Sequence, residues 1–266
     1  MTLQTAETRS VLRISTGHDV SADTTEYLRE KVGRALEHLP GPLVSARVRL
    51  TRHSDRITAK PVIAQANVSL SGRTVRVQVA AASEREAADL LEARLKSRLE
   101  RLARHWEAVR GGRPTDATPE WRHGATPRER LPYFPRAAEE REVVRRKSFA
   151  LAAETCDEAA FDMELQDYEF QLFTEAGSGI DSVLYRRAHG ALRLAQLAPL
   201  PDAVTRGAAE ISFSPLPSPE LDLPGAIERL ELTHWPFVFF RDRDSGRGSI
   251  LYHRYDGHYG LITPAA

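Results

Sequence analysis

The sequence predicts an α+β protein, with a β-α-β-β-β-α domain followed by two small, mainly-β modules. Three observations lead there. Within the first 110 residues, two helical stripes bracket three segments of alternating apolar and polar residues. A proline-punctuated stretch then interrupts all periodicity. Finally, the second half repeats itself at a constant offset of 67 positions. Ser182, Val183, Leu184, Tyr185, Arg187, Gly190 and Leu194 fall on Ser249, Ile250, Leu251, Tyr252, Arg254, Gly257 and Leu261. Upstream, Leu165, Phe170, Phe173, Ser178 and Gly179 fall on Leu232, Phe237, Phe240, Ser245 and Gly246. A gap-free offset that matches glycine, aromatic and arginine positions together marks a duplicated module.

The 266 residues leave room for two or three domains. No apolar run approaches the ~20 residues of a membrane helix, and the start lacks the basic-then-apolar form of a signal peptide. Cys156 is the single cysteine, so no intrachain disulfide or cysteine-rich zinc site is expected, and the cytoplasm is the expected compartment. The formal net charge of +0 hides a division. Residues 1–110 hold 19 Lys+Arg against 13 Asp+Glu, whereas 151–266 hold 9 against 18. Such asymmetry points to a polyanion at the front and none at the back.

The first domain spans 10–110. Val11–Ser15 is a strand candidate, followed by Gly17-His18-Asp19-Val20-Ser21. Ser21 or Asp23 caps a helix with the stripe Leu28, Val32, Ala35, Leu36 and Leu39, ended by Pro40-Gly41-Pro42. Three strands follow. Val44, Ala46, Val48 and Leu50 alternate with Ser45, Arg47, Arg49 and Thr51; Ala64, Ala66, Val68 and Leu70 alternate with Gln65, Asn67 and Ser69. Ser71-Gly72 turns into Val75, Val77 and Val79, which alternate with Thr74, Arg76 and Gln78. A long helix from about Glu84 to Val109 carries the seam Ala88, Leu91, Leu95, Leu99, Leu102 and Trp106. Each helix has one stripe to bury, so both are expected on the apolar sheet face, leaving the polar face in water.

Candidate phosphate ligands fall on two surfaces: the sheet face with Arg47, Arg49 and Arg76, and the helices with Arg29, Lys31, Arg34, Arg94, Lys96, Arg98, Arg101 and Arg104. Cation rows of this kind neutralise phosphates. A solvated face braced by pairs such as Lys96–Glu100 is the plainer account of the helix row.

The element order, the Gly17–Ser21 stretch and the helix start Glu86-Ala87-Ala88-Asp89-Leu90-Leu91 resemble the ribosome hibernation-promoting factor family. The resemblance implies a domain similar in topology to the double-stranded RNA-binding fold. It also implies lodging in the small ribosomal subunit where messenger and transfer RNA would sit, and so arrest of translation. This chain departs from the family's lysine-rich helices, using arginine with interleaved acids.

Residues 111–142 read as a semi-extended linker, with Pro114, Pro119, Pro127, Pro132 and Pro135 and with Trp121, Tyr133 and Phe134 as surface aromatics. The first module copy spans 143–197 and the second 221–264. Val143–Phe149 reads as a strand entering the first copy, and Asp157–Gln166 as a short helix. Alternating Tyr168, Phe170 and Leu172 match Trp235, Phe237 and Phe239, and His189-Gly190 and Asp256-Gly257 provide hairpin turns. Ala195–Glu220, with Pro199, Pro201, Pro215, Pro217 and Pro219, reads as a flexible tether.

Phe237-Val238-Phe239, Leu251-Tyr252-His253-Arg254, Asp256-Gly257 and Tyr259-Gly260-Leu261-Ile262-Thr263-Pro264 are similar to the C-terminal domain of long-form hibernation-promoting factors. That resemblance implies self-association. The candidate pairing residues are Phe170, Leu172, Val183 and Tyr185 in the first copy, with Phe237, Phe239, Ile250, Tyr252, Arg254 and Tyr259 in the second. About forty residues bury too little apolar surface alone, and aromatics beside a bare edge invite a second copy. Pairing within one chain as a pseudo-dimer, and pairing between chains as a homodimer, both follow.

No catalytic constellation is visible. His234, His253 and His258 lack companion ligands at metal spacing, Gly177-Ser178-Gly179 lacks the Lys-Ser/Thr of a phosphate loop, and Cys156 reads as a packing residue. The expectation is therefore a non-catalytic protein without metal or cofactor. Its partners would be the small ribosomal subunit with its RNA and a second module. The rival is a regulatory interaction protein on the same fold that binds no RNA.

Overall fold

The computed structural model describes residues 11–17, 20–53, 59–70, 73–110, 136–187 and 190–265, apart from the side chains of His38 and 106–110. His18-Asp19, the Ser71-Gly72 turn, Trp106, His189 and linker residues 111–135 lie outside the described residues. The chain forms two compact units, residues 1–123 with 164–167, and residues 124–163 with 168–266.

In the first unit, β1 (Leu12–Thr16), α1 (Ala22–Ala35), β2 (Leu43–Arg52), β3 (Val62–Leu70), β4 (Arg73–Ala81) and α2 (Glu84–Arg110) follow in order. The sheet runs β1-β2-β3-β4, with β1 parallel to β2 and the other pairs antiparallel. Ser21 is the α1 cap, its hydroxyl accepting from the Thr24 N–H at 3.2 Å. Ala46, Val48 and Leu50 of β2, Ala64, Ala66, Val68 and Leu70 of β3, and Val75, Val77 and Val79 of β4 are buried. Leu28, Val32 and Ala35 of α1 and Leu36 of the single helical turn that follows it cover them on one side, and Ala88, Leu91, Leu95, Leu99 and Leu102 of α2 on the other. Val44 is the exception to the predicted alternation. It is 59% exposed because the β2–β3 register shifts between Leu43 and Ser45, which breaks the two-residue period there.

The second unit holds both module copies apart from residues 164–167, and the elements of the two copies repeat at the sequence offset. β6 (Ala153–Glu154), α3 (Cys156–Leu165), β7 (Phe170–Glu175), β8 (Asp181–Arg186) and β9 (Leu192–Gln196) make the first copy. β11 (Glu220–Leu221), α4 (Leu223–Thr233), β12 (Phe237–Asp242), β13 (Gly248–His253) and β14 (Tyr259–Pro264) make the second. The backbone repeats as well. Among the described residues, positive φ occurs as offset pairs: Asp167 and His234 at 56° and 51°, Gly179 and Gly246 at 67° and 68°, Gly190 and Gly257 at 82° and 79°. At Gly179 and Gly246 the left-handed turn closes the β7–β8 and β12–β13 hairpins, each glycine N–H donating to the residue four before it at 2.7 and 2.8 Å.

Two expectations change here. Val143–Phe149 forms β5, but it pairs parallel with β14 of the second copy, in a sheet ordered β11-β12-β13-β14-β5. The supposed tether after Ala195 contains β10 (Ile211–Phe213), which pairs parallel with β9 of the first copy, in a sheet ordered β10-β9-β8-β7-β6. Positions 143–149 and 210–216 correspond at the offset, so the two leading strands are exchanged. Each completes the sheet of the other copy by covering its last strand, whose edge would otherwise present unpaired backbone groups.

Candidate functional site

The first candidate surface is the face of the N-terminal sheet away from the helices. The register aligns Arg13 of β1 with Arg47 of β2, Arg47 with Asn67 of β3, and Asn67 with Arg76 of β4. Directly opposed residues project to the same side of a sheet, so three guanidiniums and an amide cross its full width at strand spacings of roughly 4.8 Å. Arg49 stands in the next row, opposite Gln65. Arg13, Arg47 and Arg49 are exposed, and no acidic partner faces them among the described residues. Arg76 reaches along its own face, donating to Gln65 at 3.4 Å and to Gln78. Arg13 was missed by reading the sequence, because one arginine in a five-residue strand has no pattern until its neighbour is known.

The helical cations are placed differently. Lys31 bridges Asp89 at 2.6 Å and Glu92 at 2.9 Å, tying α1 to α2. Those two carboxylates hold the ammonium pKa well above its ordinary value, Asp89 contributing most. Arg29 pairs with Glu26 at 3.3 Å and Arg34 with Glu30 and Glu92 at 3.6 Å. Residues 164–167 belong to this unit. There Asp167 takes Arg94 at 2.7 Å and Arg98 at 3.5 Å, while Glu164 takes Arg98 at 2.7 Å and Arg101. Both acids are buried, Asp167 at 1% and Glu164 at 6% exposure. Lys96 and Arg104 lie exposed on α2. Of the helical cations, Arg29, Lys31, Arg34, Arg94, Arg98 and Arg101 are thus held in ion pairs, while Arg13, Arg47 and Arg49 make an open arginine face on the sheet.

The second candidate surface lies where the two module copies meet. Leu172, Val183, Leu197, Phe239, Ile250 and Ile262 form one buried cluster, edged by Phe170, Tyr185, Phe237 and Tyr252. Phe170 and Phe237 sit 4.7 Å apart between ring centroids, with Phe170–Tyr252 and Tyr185–Phe237 edge contacts each at 5.6 Å. Alternation explains the selection. Residues two apart on β7, β8, β12 and β13 line this face, while the intervening Val238, Phe240 and Leu251 turn toward α4. The structure therefore brings together Phe170, Leu172, Val183, Tyr185, Phe237, Phe239, Ile250 and Tyr252, and places Arg254 and Tyr259 elsewhere. Arg254 braces its own hairpin turn through Asp256 at 2.6 Å. Tyr259 packs on the α4 side, its hydroxyl donating to Glu231, which also receives Arg141 at 2.6 Å. Burial, aided by that carboxylate, pushes the Tyr259 hydroxyl up to about 12.

One polar group crosses the face between the copies. Asp181, 6% exposed, accepts from Arg247 Nε at 2.7 Å, Arg247 Nη2 at 3.1 Å and the Gly248 N–H at 2.9 Å. Burial pushes its carboxyl upward, yet Arg247 and Gly248 outweigh burial and hold it below the ordinary carboxylate range. Sequence reading missed all three residues, although the signal was present: at the offset Asp181 falls on Gly248 and Ile180 on Arg247, mismatches at the head of an otherwise matching strand.

Among the described residues no cluster of three metal-ligating side chains occurs, and no helix is long and apolar enough to cross a membrane. Burial pushes the Cys156 thiol up to about 12, leaving a packing residue rather than a nucleophile.

The family model described as sigma 54 modulation protein/S30EA ribosomal protein matches residues 12–106. The model for the sigma 54 modulation/S30EA ribosomal protein C terminus matches twice, at 138–194 and 215–261. The dormancy associated translation inhibitor of Mycobacterium tuberculosis, in strains CDC 1551 and H37Rv, is 33% identical over 258 residues, covering 94% of this chain and 87% of that protein. Among solved structures, the N-terminal domain of Thermus thermophilus Protein Y is 25% identical, covering 34% of this chain and 94% of that one at a TM-score of 0.28. A ribosomal subunit interface protein from Coxiella burnetii is 21% identical with the same coverages and TM-score.

Proposed function

The chain belongs to the sigma 54 modulation/S30EA ribosomal protein family, as a long form carrying the C-terminal module twice, and from that premise we propose that it is a ribosome-associated translation inhibitor of the hibernation type. The observation that carries the proposal is the row Arg13–Arg47–Asn67–Arg76 across the N-terminal sheet, with Arg49 beside it. Cations opposed across strands repel one another. Three of these arginines have no acid to relieve that repulsion among the described residues, so the face suits an external polyanion. Ribosomal RNA of the small subunit is the partner that fits both the charge and the family. Lys96, exposed on α2, provides a secondary contact. Arg94, Arg98 and Arg101 are held by Glu164 and Asp167, which supports assigning them to structure rather than to phosphate binding.

The C-terminal half supports a further part of the same reading. Its aromatic faces meet within one chain, so self-association is satisfied internally and the factor silences single ribosomes.

Co-sedimentation with purified small subunits across a salt series tests the RNA contact. Each lost phosphate contact lowers the logarithmic salt slope by roughly one unit. The variant Arg13→Glu/Arg47→Glu/Arg49→Glu is expected to abolish binding near physiological salt. The single variants Arg47→Ala and Arg49→Ala should each weaken binding and flatten the slope. Unchanged affinity and slope in the triple variant would transfer the function to a protein-only contact.

A further inference from the structure

The interface between the copies has a local two-fold axis, and the residues on that axis are not alike. Phe170 and Phe237 occupy the same position in the two copies and face each other at 4.7 Å. Their crosswise contacts, Phe170 with Tyr252 and Tyr185 with Phe237, are equal at 5.6 Å. Asp181 and Gly248 are also the same position, and they too meet at the axis: a Cβ on Gly248 would lie 2.9 Å from the Asp181 Cβ and 3.0 Å from the Phe239 ring. Gly248 has no positive φ, so the reason for glycine there is space and not backbone conformation.

In any symmetric pairing of like copies, a residue on the axis meets itself. Two first copies would set Asp181 against Asp181, with Ile180 where Arg247 now stands. The Cβ atoms would collide, and two carboxylates would share a buried site without a cation. Two second copies would set Gly248 against Gly248, leaving a gap flanked by two Arg247 side chains and no acid. Only the mixed pair gives the carboxylate its space, its guanidinium and the Gly248 N–H. Discrimination of this kind combines a matched contact with a penalty on the alternatives.

We propose that Asp181, Arg247 and Gly248 form an asymmetric key that fits each module copy to its opposite and rejects its like. The partner of each face is the other copy of the module, and the duplication has become a committed heterologous pair. Related chains with a single symmetric module then find no complementary face to join, and two copies of this chain can meet only first module to second. The inference concerns pairing within the C-terminal half and is independent of ribosome binding.

Two variants of the full chain test it, read by hydrogen exchange at β8 and β13 and by sedimentation equilibrium. Gly248→Asp recreates the acid-on-acid pairing and is expected to lower protection of both strands at least about tenfold. The mirror variant Leu172→Phe/Ile180→Arg/Asp181→Gly/Phe239→Leu/Arg247→Ile/Gly248→Asp moves the key, with the ring that crowds position 248, to the opposite copies. It is expected to remain monomeric with protection within about threefold of the parent. The idea is overturned if Gly248→Asp leaves protection unchanged, or if the mirror variant is no better protected than Gly248→Asp alone.

Discussion

Asp181 shows how one side chain can carry both packing and charge. Its carboxylate is buried, and the facing groups are the Arg247 guanidinium, the Gly248 N–H and the Thr174 hydroxyl at 3.1 Å. A carboxyl held below its unfolded value near 3.9 stabilises the fold above that value and loses the contribution as pH falls through the folded pKa. Glu175, Glu231 and Asp256 are depressed in the same direction, each by hydrogen bonds that outweigh burial. The C-terminal half is therefore expected to lose stability steeply below about pH 4. Asp181→Asn, which keeps the shape and discards the charge, should lower stability at neutral pH and flatten the acid limb of a urea-midpoint profile. An acid limb as steep as the parent's would remove Asp181 from the account. Other residues on this face were legible for a different reason. Gly260 stands opposite Tyr252 across the β13–β14 ladder, and a Cβ there would run into the tyrosine ring. That contact gives the Tyr-Gly-Leu-Ile signature its physical meaning. In the first copy Arg193 takes the place opposite Tyr185, so the signature is lost there while the aromatic face persists.

At the scale of elements, period and spacing determined most of what could be read. The β-α-β-β-β-α order followed from two helical stripes and three alternating strands, since each pattern is local and each face has one place to go. The module repeat was legible for a stronger reason, because two copies of one fold tie element positions to a single offset. Strand partnership was not legible. Val143–Phe149 has the residues of a strand, but nothing in seven residues states which edge it will cover, and the pairing with β14 spans more than a hundred positions. The same holds for Ile211–Phe213, hidden in a proline-rich stretch that resembles a tether. Both strands lie at sheet edges, where β5 is bonded on one side only. Hydrogen exchange distinguishes a docked strand from a tether. The β5 amides bonded to β14 should exchange with protection approaching that of β14 itself and be released in the same opening event. Unprotected exchange across Val143–Phe149 would show that the exchanged strand does not stay docked.

For the whole molecule, the exchange of β5 and β10 joins two consequences. Each copy's sheet is completed by chain that leads the other copy, so neither sheet is complete from its own stretch of sequence. The same contacts made between chains would give a strand-exchanged dimer, and the choice between the two arrangements is set by concentration. The copies are joined by a connection from Leu197 to Glu210 that includes a one-turn helix at Pro201–Ala203. A short connection gives an effective concentration of mM order, whereas a second chain is present at roughly µM, so the intrachain pair is favoured about a thousandfold. Charge points the same way: residues 151–266 carry 9 basic against 18 acidic groups, and the like-signed halves of two chains repel. Purified full-length protein is thus expected to sediment as a monomer up to about 100 µM. Ribosomes saturated with it should run in a sucrose gradient as single particles, and adding more factor should not shift them to pairs. A concentration-dependent dimer below 1 µM, or a ribosome-pair peak that grows with added factor, would place the exchanged strands between chains instead. In that case Gly248→Asp would dissolve the ribosome pairs while leaving the salt dependence set by Arg13, Arg47 and Arg49 intact.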